Sequence, residues 1–132
     1  MSTDGENLRL TRRLFERWNS GDHAIDPELT DREIELHTPL SSTRATPYQG
    51  YDGLRARIAE IEDQFETSRV ELDELRELDD ERVLASGVLH LRGRGSEIEV
   101  DQPLEWLLTF RRGRLLRYEA FADEEANPAG VE

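Results

Sequence analysis

The sequence predicts an α+β domain: a curved, mostly antiparallel sheet wrapped on helices that gather on one of its faces. Three observations lead there. Residues 82–123 read as three long β-type runs, RVLASGVLHLRGRG, SEIEVDQPLEWLLTF and RRGRLLRYEAFAD, separated by tight, glycine-bearing breaks. Two stretches upstream carry apolar residues at helical spacing. Both faces of the alternating runs hold large apolar groups, and two helices cover only one face. With 132 residues and no composition break, the chain is expected to form a single domain, 1–132, around one core.

The elements follow in order. Thr3-Asp4-Gly5-Glu6 has capping-box spacing and opens a helix that runs to about Asn19. Thr11, Leu14, Phe15 and Trp18 give that helix one apolar face, and Ser20-Gly21-Asp22 ends it. Pro27-Glu28-Leu29 predicts a short helical turn that packs Ile25 and Leu29 inward. Glu33 to Thr38 alternates, with Ile34 and Leu36 on one face and Glu35 and His37 on the other. Pro39 to Gly50, rich in Ser, Thr and Pro, reads as a loop long enough to serve as a lid or pocket rim. A second helix is expected from about Asp52 to Glu66, with Leu54, Ile58, Ile61 and Phe65 as its stripe and Arg55, Arg57, Glu60, Glu62 and Asp63 on the solvated side. Alternation resumes from Ser68 to Leu78, Asp79-Asp80 turns the chain, and the three long strands complete a meander.

Composition excludes several function classes. The net charge is −13, from 17 basic and 30 acidic residues, and such a surface repels nucleic acid and anionic membrane. No cysteine is present, which removes disulfides and thiolate chemistry. No lysine is present either, so a lysine Schiff base is impossible. No apolar run approaches the ~20 residues that span a bilayer, and MSTDGENL does not resemble a secretion signal, so a cytoplasmic protein is expected. His23, His37 and His90 lack metal-ligand spacing; neither metal nor cofactor is expected.

Strict alternation sorts the long strands into two faces. Leu104, Trp106, Leu108 and Phe110 are expected to face the helices together with Ser86, His90, Tyr118 and Ala120. Leu89, Leu91, Leu107, Leu115 and Phe121 are then left on the outer face. An apolar outer face predicts a sheet-to-sheet homodimer; the alternative is a mixed, wet face, since Thr109, Arg117 and Glu119 share it. On the inner face His90 is the expected acid/base, with Tyr118 as its partner, against the alternative of a core histidine bonded to Tyr118 or Ser86. Trp18, Trp106, Thr38, Tyr48 and Ser86 are the expected contacts of a hydrophobic small molecule. For the tryptophans the alternative is that they fill the core, and for Tyr48 that it packs a turn beside Gly50.

Taken with the order of elements, FERWNSGD, EIELHTP, PYQGYDGLRARI, VLHLRGRGSEIEV and RRGRLLRYEAFADEEA resemble the nuclear-transport-factor-2-like superfamily, in its SnoaL-like (polyketide cyclase-like) branch. The resemblance covers nearly the whole chain. It implies a half-closed conical barrel of cystatin-like fold, a pocket between the helices and the concave sheet, and dimerisation through the sheet. It also implies proton-transfer chemistry, cyclase- or isomerase-like, on a hydrophobic cyclic or polyketide-like substrate, or else a non-catalytic ligand-binding or dimerisation module. Ketosteroid isomerase, a distant relative, needs a carboxylate base and an oxyanion pair of tyrosine and protonated aspartic acid. The matching positions here are Thr38, Leu14 and Trp106, which cannot supply them. The cyclases use a pocket acid; here alternation puts Glu105 and Glu119 outside, with Asp101 and Asp123 at strand ends.

Overall fold

The computed structural model of the chain describes residues 5–37, 48–95 and 97–122. Eight elements appear in the order α1 (Glu6–Asn19), β1 (Thr30–His37), β2 (Tyr48–Gln49), α2 (Gly50–Gln64), β3 (Phe65–Glu77), β4 (Arg82–Gly93), β5 (Glu99–Arg111) and β6 (Arg114–Ala122). The six strands make one sheet in the order β2-β1-β6-β5-β4-β3. β3 to β6 form the antiparallel meander, and β1 joins it in parallel beside β6. The α+β class holds. The proposed small helix is a turn at residues 27–29, and β2 is a short strand at the end of what reads as loop. Thr3 and Asp4 of the capping box, Thr38, residues 39–47, Asp123 and the tail lie outside the described residues.

α1 buries Thr11 and Phe15 and packs Leu8, Leu10, Leu14 and Trp18 against the core, as its spacing predicts. The Thr11 hydroxyl donates to the Asn7 carbonyl at 2.7 Å, so a polar group with no exposed surface is satisfied within its own helix. α2 is different. None of its residues is buried, although Leu54 and Ile58 project toward the sheet. Its apolar stripe borders a space rather than a packed layer.

Bulges bend the sheet into a cone. β3 slips register between Phe65 and Thr67 and again between Leu72 and Glu74, and β5–β6 slips between Thr109 and Phe110. The β5–β6 hairpin closes through Arg112 (φ 55°) and Gly113 (φ 77°), two left-handed residues in succession. That is the two-residue turn whose twist matches a twisted ladder.

The ladder corrects the assignment of faces. Ala85 stands opposite Trp106, Gly87 opposite Leu104 and Leu89 opposite Gln102. Cross-strand partners share a face, so Val83, Ala85, Gly87, Leu89 and Leu91 look inward with Trp106. Ser86, His90 and Arg92 therefore look outward, contrary to expectation. Alternation fixes which residues go together within β4 but not which set faces the helices, and both sets contain leucines. Leu115 is also inside, buried and beside the cavity: the bulge opposite Thr109 and Phe110 shifts the phase of β6 by one residue.

Candidate functional site: the cavity of the cone

The helices and the concave sheet enclose a cavity of about 580 Å³. That volume lies in the range of small-molecule pockets, about 300–1,000 Å³. Each element contributes from its apolar stripe: Leu14, Phe15 and Trp18 from α1, Ile34 and Leu36 from β1, and Leu54, Ile58 and Ile61 from α2. The sheet supplies Val70, Leu89, Leu91, Leu104, Trp106, Leu108 and Ala120. Trp106 packs edge-on against Phe15, with ring centres 5.3 Å apart, so one side of its indole is fixed by the core.

Few polar groups reach this space. Tyr118 stands opposite Leu108 on β6 and lines the wall. Removal from water pushes its phenol well above the ordinary tyrosine value, with a hydrogen bond from Trp106 and the charge of Arg57 opposing the shift. Tyr118 is therefore a neutral hydrogen-bond donor at any ordinary pH and not a base. Trp18 donates its indole N–H to Ser68 Oγ at 3.2 Å.

Arg57 is the group that sequence reasoning missed. It was expected on the solvated side of α2, yet its side chain is only 11% exposed and lines the cavity. The signal was in the spacing. Arg57 follows Leu54 by three and precedes Ile61 by four, which puts it on the edge of the same stripe. Its Cζ lies 6.0 Å from the ring centre of Tyr48, and its Nη1 sits 3.4 Å from Glu60 Oε1. Its Nε is buried with no partner among the described residues.

The mouth is held by His23, expected to be simply solvated. Its ring stacks on Trp18 at 3.7 Å, Nδ1 lies 2.8 Å from Glu62 Oε2, and Nε2 lies 3.2 Å from the Trp18 carbonyl. Both ring nitrogens are engaged, so His23 works as a latch between the end of α1 and α2. Asp22 is the one carboxylate among the described lining residues. The Arg17 guanidinium, 3.3 Å away, and the Ala24 N–H hold its carboxyl below the usual carboxylate value.

The expected site residues divide as follows. Trp18, Trp106 and Tyr118 are brought together around the cavity. Tyr48 is a correction: it is buried between β1 and α2, outside the lining, and its hydroxyl donates to Glu60 Oε1 at 2.6 Å. Its packing beside the Gly50–Gly53 turn is close, since a Cβ at Gly53 would lie 3.0 Å from Tyr48 backbone. Thr38 lies outside the described residues. His90 and Ser86 are on the opposite side of the sheet. There His90 Nδ1 meets Asp101 Oδ1 at 2.7 Å, Nε2 meets Glu71 Oε1 at 3.0 Å, and Ser86 Oγ lies 3.4 Å from Glu105 Oε2. Those two carboxylates raise the His90 pKa, Asp101 contributing most. His90 thus bridges acids on the outer face and cannot reach the cavity. Among the described residues no cluster of His, Asp or Glu is placed to hold a metal, and no helix is long and apolar enough to cross a membrane.

No protein-family model and no curated protein matches the sequence. Solved structures do. Bal32a, from a soil-derived mobile gene cassette, superposes with a TM-score of 0.80 at 22% identity, over 93% of this chain and 93% of that one. A candidate SnoaL-like polyketide cyclase from Jannaschia sp. CCS1 gives 0.77 at 18% identity, over 94% of this chain and 90% of that one. TerC, co-crystallised with polyporic acid, gives 0.75 at 16% identity, over 90% of this chain and 92% of that one. Other similar structures are described as NTF2-like or of cystatin-like fold. The fold is thus the nuclear-transport-factor-2-like cone that the sequence resembles.

Proposed function

We propose that the protein binds a hydrophobic, ring-bearing small molecule inside the cone and orients it through the Tyr118 hydroxyl. The observation that carries this reading is the cavity itself. About 580 Å³ is left unfilled by Trp18, Trp106 and Tyr118, and the apolar stripe of α2 faces it without being buried. An amphipathic helix whose apolar face borders empty space is stabilised by an occupant that covers it. TerC, of the same fold, was co-crystallised with a small organic molecule, polyporic acid, which supports a small-molecule reading for this fold.

Proton-transfer chemistry on such a ligand is the second reading. Tyr118, held neutral, is suited to donate to a carbonyl oxygen as negative charge develops there. The described lining holds no free base to match it, since Asp22 is tied to Arg17 and His23 is engaged at both nitrogens. Binding is therefore the reading the geometry favours.

Pairing through the outer sheet face belongs to the same proposal, on a revised set of residues. Leu89, Leu91 and Leu115 are inside, which leaves Leu84 opposite Leu107, with Phe121 diagonal to them, among Glu105, Arg117 and Glu119. Sedimentation should show a dimer that Leu107→Arg converts to monomer; a monomeric parent at micromolar concentration refutes the pairing. A cytoplasmic location completes the proposal.

A thermal-shift screen of fused-ring ketones on the parent and on Ile58→Trp tests the cavity. Ile58→Trp puts an indole into the unfilled space. Stabilisation of the parent and not of Ile58→Trp is expected; equal shifts, or none, would refute the reading.

A further inference from the structure

We infer that the cone selects an anionic ligand, an aromatic or alicyclic carboxylate whose rings lie in the apolar cavity and whose carboxylate pairs with Arg57. The inference rests on the reading of the cavity as a ring-ligand site and specifies that ligand's charge.

Two arginines line the cavity: Arg17 is paired with Asp22 and the Ala24 carbonyl, whereas Arg57 is weakly paired among the leucines and isoleucines of α2. Among the described residues the one ion-pair contact of Arg57 is Nη1 to Glu60 Oε1 at 3.4 Å. That oxygen already accepts the Tyr48 hydroxyl at 2.6 Å, and the Glu60 side chain is 42% exposed. The contact is long and its acceptor is shared with a stronger donor and with water. The Arg57 Nε is shielded from water and has no acceptor among the described residues. A buried N–H on a charged group is costly to leave unmade. Arg111, at the surface, does not share the problem: it reaches both Asp31 and Glu33, at 3.0 and 3.2 Å.

What would complete the pairing of the Arg57 guanidinium is an anion held in the cavity that it lines, and a planar carboxylate matches that fork. Tyr118 lines the same wall within the field of Arg57, so its hydroxyl is a second donor for a ligand oxygen. The two donors favour an oxygen-rich anionic end, and the leucine, isoleucine and tryptophan surfaces favour rings at the other. The long-range field does not help, since the chain carries −13. Anion preference has to come from contact at Arg57, and dissolved salt, by screening that field, should strengthen binding or leave it unchanged.

Calorimetric titrations with 2-naphthoate and its neutral counterpart 2-acetylnaphthalene test this, on the parent, Arg57→Gln and Arg57→Lys. The parent should bind naphthoate about tenfold more tightly than the ketone. Arg57→Gln should bring the two within about twofold of each other, and Arg57→Lys, with charge but no fork, should fall between. Parent binding of both probes with equal affinity, or a naphthoate preference that disappears on raising salt to about 0.15 M, would overturn the inference and leave the cavity reading standing. Failure of the parent to bind either probe would overturn both. The parent comparison decides the matter even if a variant does not fold.

Discussion

The side-chain amide of Asn19 forms a two-way pair with the backbone of Val70: Nδ2 donates to the Val70 carbonyl at 2.8 Å, and Oδ1 accepts the Val70 N–H at 2.8 Å. The last residue of α1 thereby acts as a short extra strand beside β3 and fixes the wall of the cone next to Trp18. Asn19→Ala leaves both backbone groups of Val70 without this partner. A loss of about 2 kcal/mol in urea unfolding is expected, given about 1 kcal/mol for each part-buried bond.

Gly87 is required by the β3 bulge. A Cβ there would lie 2.2 Å from the Glu71 carbonyl oxygen and 3.0 Å from Leu72 Cα. Both obstacles are backbone and cannot turn aside. Gly87→Ala should lower unfolding free energy by about 1–3 kcal/mol. Unchanged thermal and urea midpoints would show that the β3–β4 approach is looser than these distances.

Much of the fold was legible in the sequence, and the reason is periodicity. Both helices, β1 and the four-stranded meander come from spacing alone, and their observed ends fall within a few residues of expectation. The site was less legible because a strand pattern gives two faces without saying which is inner. On β4 the sets Leu84, Val88, His90 and Val83, Leu89, Leu91 are both plausible cores, and only the pairing of Ala85 with Trp106 decides between them. Leu115 was misplaced for another reason: a bulge changes the phase, and no turn signal marks it. Arg57 was overlooked because a charged residue beside an apolar stripe is usually solvated; its position between Leu54 and Ile61 gave it away only in part.

His90 links stability to pH. Asp101 first, then Glu71, raise its pKa above the ordinary 6.5, against the nearby charge of Arg69. The sign follows from linkage: the folded protein holds this proton more tightly than the unfolded chain does. The stabilising contribution is complete below about pH 6.5 and is lost as pH rises through the higher folded pKa. A His90→Gln variant should lose that decline, read from chemical-denaturation midpoints between about pH 6 and 9. A slope identical to the parent's would assign the effect elsewhere. Since His90 is on the outer face, ring-ligand affinity should not change in this variant.

Tyr118→Phe separates orientation from shape. The ring still lines the cavity, but the hydroxyl donor is gone. Affinity for 2-acetylnaphthalene should fall about fivefold. Unchanged affinity would mean that the hydroxyl does not meet the ligand oxygen.

The central claim is that a ring ligand occupies the cone, and intrinsic fluorescence reads it directly. The chain has two tryptophans, Trp18 and Trp106, and both line the cavity. A fused-ring ligand seated there touches or approaches both indoles. Titration with 2-naphthoate, corrected for its own absorbance, should give a saturable change in tryptophan emission with the same midpoint as calorimetry. Calorimetric binding with no saturable emission change would place the ligand away from the cone and contradict the account.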